Sequence, residues 1–181
     1  MIRVLMPLAD GVEEMEAVIP ADVFRRADWK VVLAGLKPGP VTASRKVVIT
    51  PDSVLDAVAG QPFDLLFLPG GMGGTEAMLA DPRLSPLVLQ YAAAPRWVAA
   101  ICAAPLVLER AGILSGKTYT CHPATAERFT QGRRKTDRIV LDGRVYTSQG
   151  AGTSLEFALR LVADLDSPEK SRRIADAICA A

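Results

Sequence analysis

Histidine occurs once in these 181 residues, as His122, so any imidazole base must be that residue. A metal centre needs more ligands than one ring supplies, and none is expected. The three cysteines, Cys102, Cys121 and Cys179, form no CxxC pair and are odd in number, which argues against a disulfide framework and a structural zinc site. A reducing, cytoplasmic setting fits that usage. Charge of one sign is also missing. Twenty-one Lys plus Arg against 20 Asp plus Glu leave +1, too little field to hold a phosphate backbone or an anionic membrane. No run of about 18 apolar residues occurs, and Met1-Ile2-Arg3 leads through a short apolar stretch to Asp10 and Glu13. Neither a signal peptide nor a membrane anchor is expected. Aromatics are scarce at 6%, whereas half the residues are hydrophobic, so the core is assigned to Val, Leu, Ile and Ala, as in covered parallel sheets.

What is present is a rhythm of short apolar runs and longer helical patterns. The length predicts a single domain over 1–181. Val4 to Leu8 reads as a strand, Glu13 to Ala27 as a helix with Pro20 inside it, and Val31 to Ala34 as a second strand. After turn chemistry at Lys37-Pro38-Gly39-Pro40, Val47 to Ile49 is a short strand. Phe63 to Leu68 is a strand predicted to empty into a flexible loop at Pro69-Gly70-Gly71-Met72-Gly73-Gly74. Leu84 to Ala93 is helical, Trp97 to Ile101 a strand, and Pro105 to Ala111 a helix stopped by Gly112.

Asp142-Gly143 between two apolar runs predicts a hairpin with a type I′ turn. Helices follow over Thr153 to Leu165, capped by Thr153 or Ser154, and over Pro168 to Ile178. Arg133-Arg134-Lys135 reads as a solvated loop. The alternation predicts an α/β fold with a mostly parallel sheet covered on both faces, whose ligands bind beyond the carboxyl ends of the strands. The glycine run and Cys102 both fall at such ends.

Cys102 lies between a strand and a helix and is followed by small residues that permit a sharp turn. Unpaired amides and the helix dipole there would lower the thiol pKa; the alternative is an inert core cysteine. In such an elbow the N–H of the next residue, Ala103, serves an oxyanion hole, and Gly70 and Gly71 could bring a second amide close. His122 is either a base for Cys102 or a turn residue before Pro123. Glu13 and Glu14 complement the dipole of the first helix, whereas Glu16, one turn on among Met15, Val18 and Ile19, is a proton donor if partly buried.

Ordered motifs run through nearly the whole chain: Gly11-Val12-Glu13-Glu14-Met15-Glu16, Ser44-Arg45-Lys46-Val47-Val48-Ile49, Leu68-Pro69-Gly70-Gly71, Ala99-Ala100-Ile101-Cys102-Ala103, His122-Pro123 and Gly152-Thr153-Ser154-Leu155-Glu156-Phe157. In these the sequence resembles the ThiJ/PfpI superfamily, in the branch of the parkinsonism-associated protein deglycase and its bacterial relatives. The resemblance implies a flavodoxin-like three-layer sandwich and a homodimer. It also implies Cys102 as nucleophile, Glu16 as the protonated carboxyl bonded to its sulfur, Gly71 and Ala103 as amide donors, and His122 nearby. Ala104 departs from the Gly common in relatives, and no His follows Cys102 as in the protease branch.

The activity so implied is that of a cofactor-independent enzyme acting on reactive dicarbonyls or glycation adducts, a glutathione-independent glyoxalase or deglycase with an oxidative-stress role. Its substrates would be small reactive carbonyls or glycated proteins, with nucleic acid only as a glycated substrate. The rival is a redox-sensing chaperone whose Cys102 becomes a sulfinate; a third reading is amide hydrolysis by a Cys–His pair. Met15, Val18, Ile19 and Val23 on the first helix carry apolar surface that points to a homodimer contact there.

Overall fold

A computed structural model describes residues 1–93 and 95–180. Its centre is a seven-stranded sheet. In chain order the elements are β1 (Arg3–Leu8), α1 (Glu14–Arg26), β2 (Lys30–Gly35), then β3 (Val41–Thr42), β4 (Val48–Ile49) and β5 (Ser53–Val54). Next come α2 (Leu55–Val58), β6 (Leu65–Leu68), α3 (Met72–Ala80), α4 (Leu84–Ala93), β7 (Trp97–Ile101) and α5 (Pro105–Arg110). The chain continues through β8 (Thr118–Tyr119), β9 (Arg133–Arg134), β10 (Ile139–Asp142), β11 (Val145–Ser148), α6 (Ser154–Leu165) and α7 (Pro168–Ala177).

The sheet order is β10-β11-β7-β6-β1-β2-β5, parallel throughout except for the β10 edge. Side chains alternate between two cores because strand residues point to opposite faces in turn. Val4, Met6, Leu65, Phe67, Ala99 and Ile101 pack on the face of α1 and α6, where Phe24, Phe157 and Leu161 meet them. Leu5, Leu66, Leu68, Val98 and Ala100 face the other side, against Leu87, Val88 and Val107 of α4 and α5. This is a three-layer α/β arrangement, and the apolar runs that lack alternation in the sequence are strands buried on both faces.

Five local expectations need correction. The glycine run is not a flexible loop, for Met72, Gly73 and Gly74 already belong to α3. Gly74 packs so closely on Val12 that a methyl group would come within 2.8 Å of its Cα, so backbone contact with the β1–α1 loop organises a segment whose composition reads as loose. In the β10–β11 turn only Gly143 takes a positive φ, +64°; a type I′ turn needs it at Arg144 as well, so the pattern is that of type II′. Arg133 and Arg134 form β9, paired with β8, instead of a solvated loop. Thr153 does not cap α6, because its hydroxyl is spent on Gly150 and Ser148. On α1, Val23 belongs to the core, leaving Met15 and Val18 as the exposed apolar residues, at 46% and 48%.

A small hairpin stands apart from the main sheet. Its strands β3 and β4 pair antiparallel and are joined through Ala43-Ser44-Arg45-Lys46-Val47, with Lys46 in the left-handed region at φ +75°. The Ser44 N–H donates to Val12 O at 2.7 Å, and the Arg45 N–H donates to the Glu14 carboxylate at 2.9 Å. The turn is thereby fastened to the start of α1.

Candidate active site at Cys102

Cys102 follows β7 directly and adopts φ +66°, a conformation that costs a non-glycine residue energy and that recurs where a side chain must be presented. Two backbone bonds hold it there. Its N–H donates to Ser148 O on β11, and its carbonyl accepts the His122 N–H, both at 2.9 Å. The half-buried sulfur therefore stands at the carboxyl end of the central sheet, on the rim predicted from the strand rhythm, in a cavity of about 610 Å³. The walls bring together Glu13, Glu16, Arg45, Gly71, Ala103 and His122.

Glu16 is wholly buried beneath this cavity, on the inward face of α1. Its Oε2 accepts the Gly70 N–H at 2.9 Å. Oε1 is buried without a hydrogen-bond partner, and the Cys102 thiol is the side chain that acts on the carboxyl. Burial pushes the Glu16 carboxyl up to about 7, against the opposing bonds from Cys102 and Gly70; the charge of Glu13 adds to the rise. A carboxyl so placed exchanges its proton near neutrality instead of losing it in acid.

The expectation of a lowered Cys102 pKa is not met. Burial raises the thiol, and a negative charge on Glu16 raises it further, while the amides of Gly71 and Ala103 act in the opposite direction by bonding to the sulfur. The sequence shows the helix dipole and the amides; desolvation and the facing carboxylate, which only the fold reveals, outweigh them. The two groups form one coupled unit in which a negative charge on either disfavours ionisation of the other.

The glycines divide their work differently from expectation. Gly71 caps α3 at φ +81° and directs its amide to the sulfur; a Cβ there would collide with the backbone of Glu13. Gly70 offers no free amide, since Glu16 takes it. What Gly70 supplies is space: a Cβ would lie 2.6 Å from Glu16 Oε2 and 2.8 Å from Cys102 Cβ. Ala103 gives the second amide at the sulfur. His122 lines the cavity but is exposed, and its Nδ1 accepts the Ala124 N–H at 3.2 Å, capping the short turn that begins at Pro123. That bond spends Nδ1 on the cap, and no carboxylate hydrogen-bonds to the ring among the described residues.

Sequence reasoning assigns no role to Ser44, Arg45 or Met72, which also line the cavity. Their signal is weak, since the Ser44-Arg45-Lys46 turn lies far along the chain from Cys102 and reaches it only through the hairpin. Cys121 is fully buried on the opposite face of the sheet, away from this cavity. Among the described residues no three His, Cys, Asp or Glu side chains converge as a metal ion would require. A second cavity of about 460 Å³ lies across Asp10 from the first, walled by Leu8, Leu36, Pro38 and Ala77, and contains neither a cysteine nor a histidine.

The model of the DJ-1/PfpI family matches residues 2–164. The chain belongs to the DJ-1/PfpI family. Within it, the protein dj-1beta of Drosophila melanogaster is 42% identical over 180 residues, spanning 98% of this chain and 96% of that one. The crystal structure of Drosophila melanogaster DJ-1beta superposes with a TM-score of 0.96 at 40% identity, covering 99% of this chain and 98% of that one. The glutathione-independent glyoxalase DJR-1.2 of Caenorhabditis elegans is 35% identical, covering 98% of this chain and 95% of its own. DJ-1/PfpI membership thus joins a glyoxalase-bearing family to a fold whose sheet end carries the Cys102–Glu16 pair. No helix among the described residues is long and apolar enough to cross a membrane.

Proposed function

We propose that this protein is a cofactor-independent glyoxalase-type enzyme, with related deglycase chemistry, in which Cys102 is the nucleophile and Glu16 carries the proton. The observation that carries this reading is the coupling of a half-buried cysteine in a cavity to a buried carboxyl lifted to about 7. A named glyoxalase among its relatives supports it.

The chemistry on methylglyoxal balances without an added reagent. The Cys102 sulfur bonds to the aldehyde carbon, the carbonyl electron pair moves to oxygen, and a proton from the Cys102–Glu16 pair neutralises it as a hemithioacetal. The Gly71 and Ala103 amides, which act on the Cys102 sulfur, are proposed to hold that developing charge. Glu16 as carboxylate then removes the proton on the same carbon and returns one to the neighbouring carbon, while the hydroxyl proton passes to the former ketone oxygen, leaving a thioester. Water cleaves the thioester to lactate and restores the thiol, so one water is consumed in all. His122 is proposed as a polar wall that contacts substrate through Nε2, since Nδ1 is spent on Ala124.

The assay is lactate formation from methylglyoxal with no glutathione present. Turnover that disappears in Cys102→Ser is expected; a purified, reduced wild type that makes no lactate overturns the reading. A homodimer through α1 accompanies this proposal, because Met15 and Val18 are exposed, as are Val47 and Val48 of the hairpin fastened to the start of that helix. Light scattering giving a monomer mass at micromolar concentration contradicts that part.

A further inference from the structure

Met72 is the large apolar side chain on the wall of the Cys102 cavity. The alanines there, Ala103, Ala124 and Ala151, carry only a methyl group. Met72 is 45% exposed and belongs to neither hydrophobic core. Exposed apolar surface elsewhere is placed differently: Met15, Val18, Val47 and Val48 lie on α1 and its hairpin, and Leu89 and Leu141 lie outside this cavity.

The direction of the side chain follows from its place. Met72 is the first residue of α3, directly after Gly71, whose amide acts on the Cys102 sulfur. A helical side chain leans toward the amino terminus of its helix. Here that end carries Gly71 and opens on the cavity. The tip of the side chain is held as well. Arg128 Nη1 donates to Met72 Sδ at 3.4 Å and to Glu76 Oε1 at 2.6 Å, one turn along the same face of α3. Arg128 closes the helical turn Pro123–Arg128, whose Ala124 and Thr125 form another part of the cavity wall. The thioether thus reaches from α3 to the wall that follows His122.

Addition at Cys102 leaves a use for such a surface. The sulfur bonds to the aldehyde carbon, and the substituent on the second carbonyl carbon must lie against another part of the wall. A thioether offers that substituent no charge, and its flexible, polarizable chain adapts to different shapes. A cavity of about 610 Å³ is in the range that takes ligands far larger than methylglyoxal.

We propose that Met72 is a specificity-determining residue whose thioether is the apolar subsite for the substituent of the carbonyl compound that reacts at Cys102. It favours longer or branched alkyl groups over methyl and hydrogen. The inference rests on the reading of Cys102 as the reacting group and narrows its substrate class, but it does not rest on lactate formation.

The probes are glyoxal, methylglyoxal and 4-methyl-2-oxopentanal, which carry hydrogen, methyl and isobutyl on the second carbonyl carbon. Each adds reversibly to the thiol, sulfur to aldehyde carbon and thiol proton to the carbonyl oxygen, and so protects Cys102 from alkylation. A brief iodoacetamide pulse, read by mass spectrometry of the Cys102 peptide against the unprotected rate of the same variant, gives the half-protecting concentration of each. A buried methylene is worth roughly fourfold in binding. Met72→Ala removes more than that from a half-exposed wall. It is expected to raise the value for 4-methyl-2-oxopentanal about tenfold and that for glyoxal less than about twofold, with methylglyoxal between. Met72→Gln, of equal length but polar, should behave as Met72→Ala, whereas Met72→Leu should stay within about twofold of the wild type.

Equal changes for all three probes, or none for 4-methyl-2-oxopentanal, overturn the proposal. So does a Met72→Ala protein whose mass by light scattering differs from the wild type, because Met72 would then belong to a contact between subunits. Because labelling needs no turnover, the expected pattern without lactate formation overturns the glyoxalase reading and leaves Met72 assigned. Lactate formation without the pattern does the reverse, and a wild type protected by none of the probes overturns both. Met72 is exposed at the end of α3, so all three variants are expected to fold.

Discussion

Glu14 and Glu16 stand two residues apart on one helix, both buried, and the fold gives them opposite proton affinities. Burial raises each. At Glu14 that rise is outweighed by hydrogen bonds from its own amide, Ser44, Arg45 and Val47, and the carboxyl is held below the usual range. At Glu16 the Cys102 and Gly70 bonds do not suffice, and the carboxyl rises to about 7. What separates the lowered carboxyl from the raised one here is the number of donors aimed at it as well as its depth. Glu14 fastens the β3–β4 hairpin; Glu16 is left with a buried oxygen that has no hydrogen-bond partner.

The sharpest way to break this comparison is to remove the charge from each in turn. Glu16→Gln keeps shape and an acceptor for Gly70 but cannot carry a proton, and is expected to lower kcat for methylglyoxal by about 10²- to 10⁴-fold, the usual range for a lost general acid–base. Glu14→Gln, and Glu13→Gln likewise, should change kcat by less than about threefold, since neither is asked to move a proton. Steady-state kinetics decide this, and equal losses at 14 and 16 would dissolve the distinction.

A smaller effect is expected in stability. Glu16 has a folded pKa raised from 4.5 to about 7, so its protonated form favours the fold. That stabilisation is complete below pH 4.5 and lost as pH rises through 7, to a limit of about 3 kcal/mol. Urea unfolding at about pH 5 and about pH 8 should register the loss in the wild type, and Glu16→Gln should abolish it. Smaller again, and of opposite sign, is the contribution of Glu14, whose lowered pKa gives stability present above 4.5 and lost in acid. Glu14→Gln should flatten only that acid limb.

Much of this fold is legible in the sequence because buried strands and amphipathic helices leave strong patterns. β1, β6 and β7 stand out as apolar runs, and the position of Cys102 after β7 is enough to place it on the rim at the carboxyl ends of the strands. The misses share a cause. Gly73 and Gly74 are helical because Gly11 and Val12 press on them, and Arg133-Arg134 is a strand because β8 lies alongside; neither neighbour is close in sequence. The same holds in the site. The position of Glu16 on α1 is readable, but that Gly70 spends its amide on Glu16, and that burial lifts the Cys102 thiol, depends on distant segments of the chain meeting. The path from Arg45 to the cavity is hidden for the same reason.

The central claim is that Cys102 and Glu16 titrate as one unit, and it is tested most directly by the pH dependence of Cys102 alkylation. Iodoacetamide labelling, followed by mass spectrometry of the Cys102 peptide between about pH 5 and about pH 9, reports the thiolate population. In the wild type the rate should rise with pH up to an inflection near 7 and flatten above it, because the Glu16 carboxylate that forms there raises the thiol further. In Glu16→Gln that inflection should vanish, leaving the rise of a buried thiol at higher pH. Superimposable curves for wild type and Glu16→Gln would contradict the coupling, and the proton-transfer role given to Glu16 would fall with it.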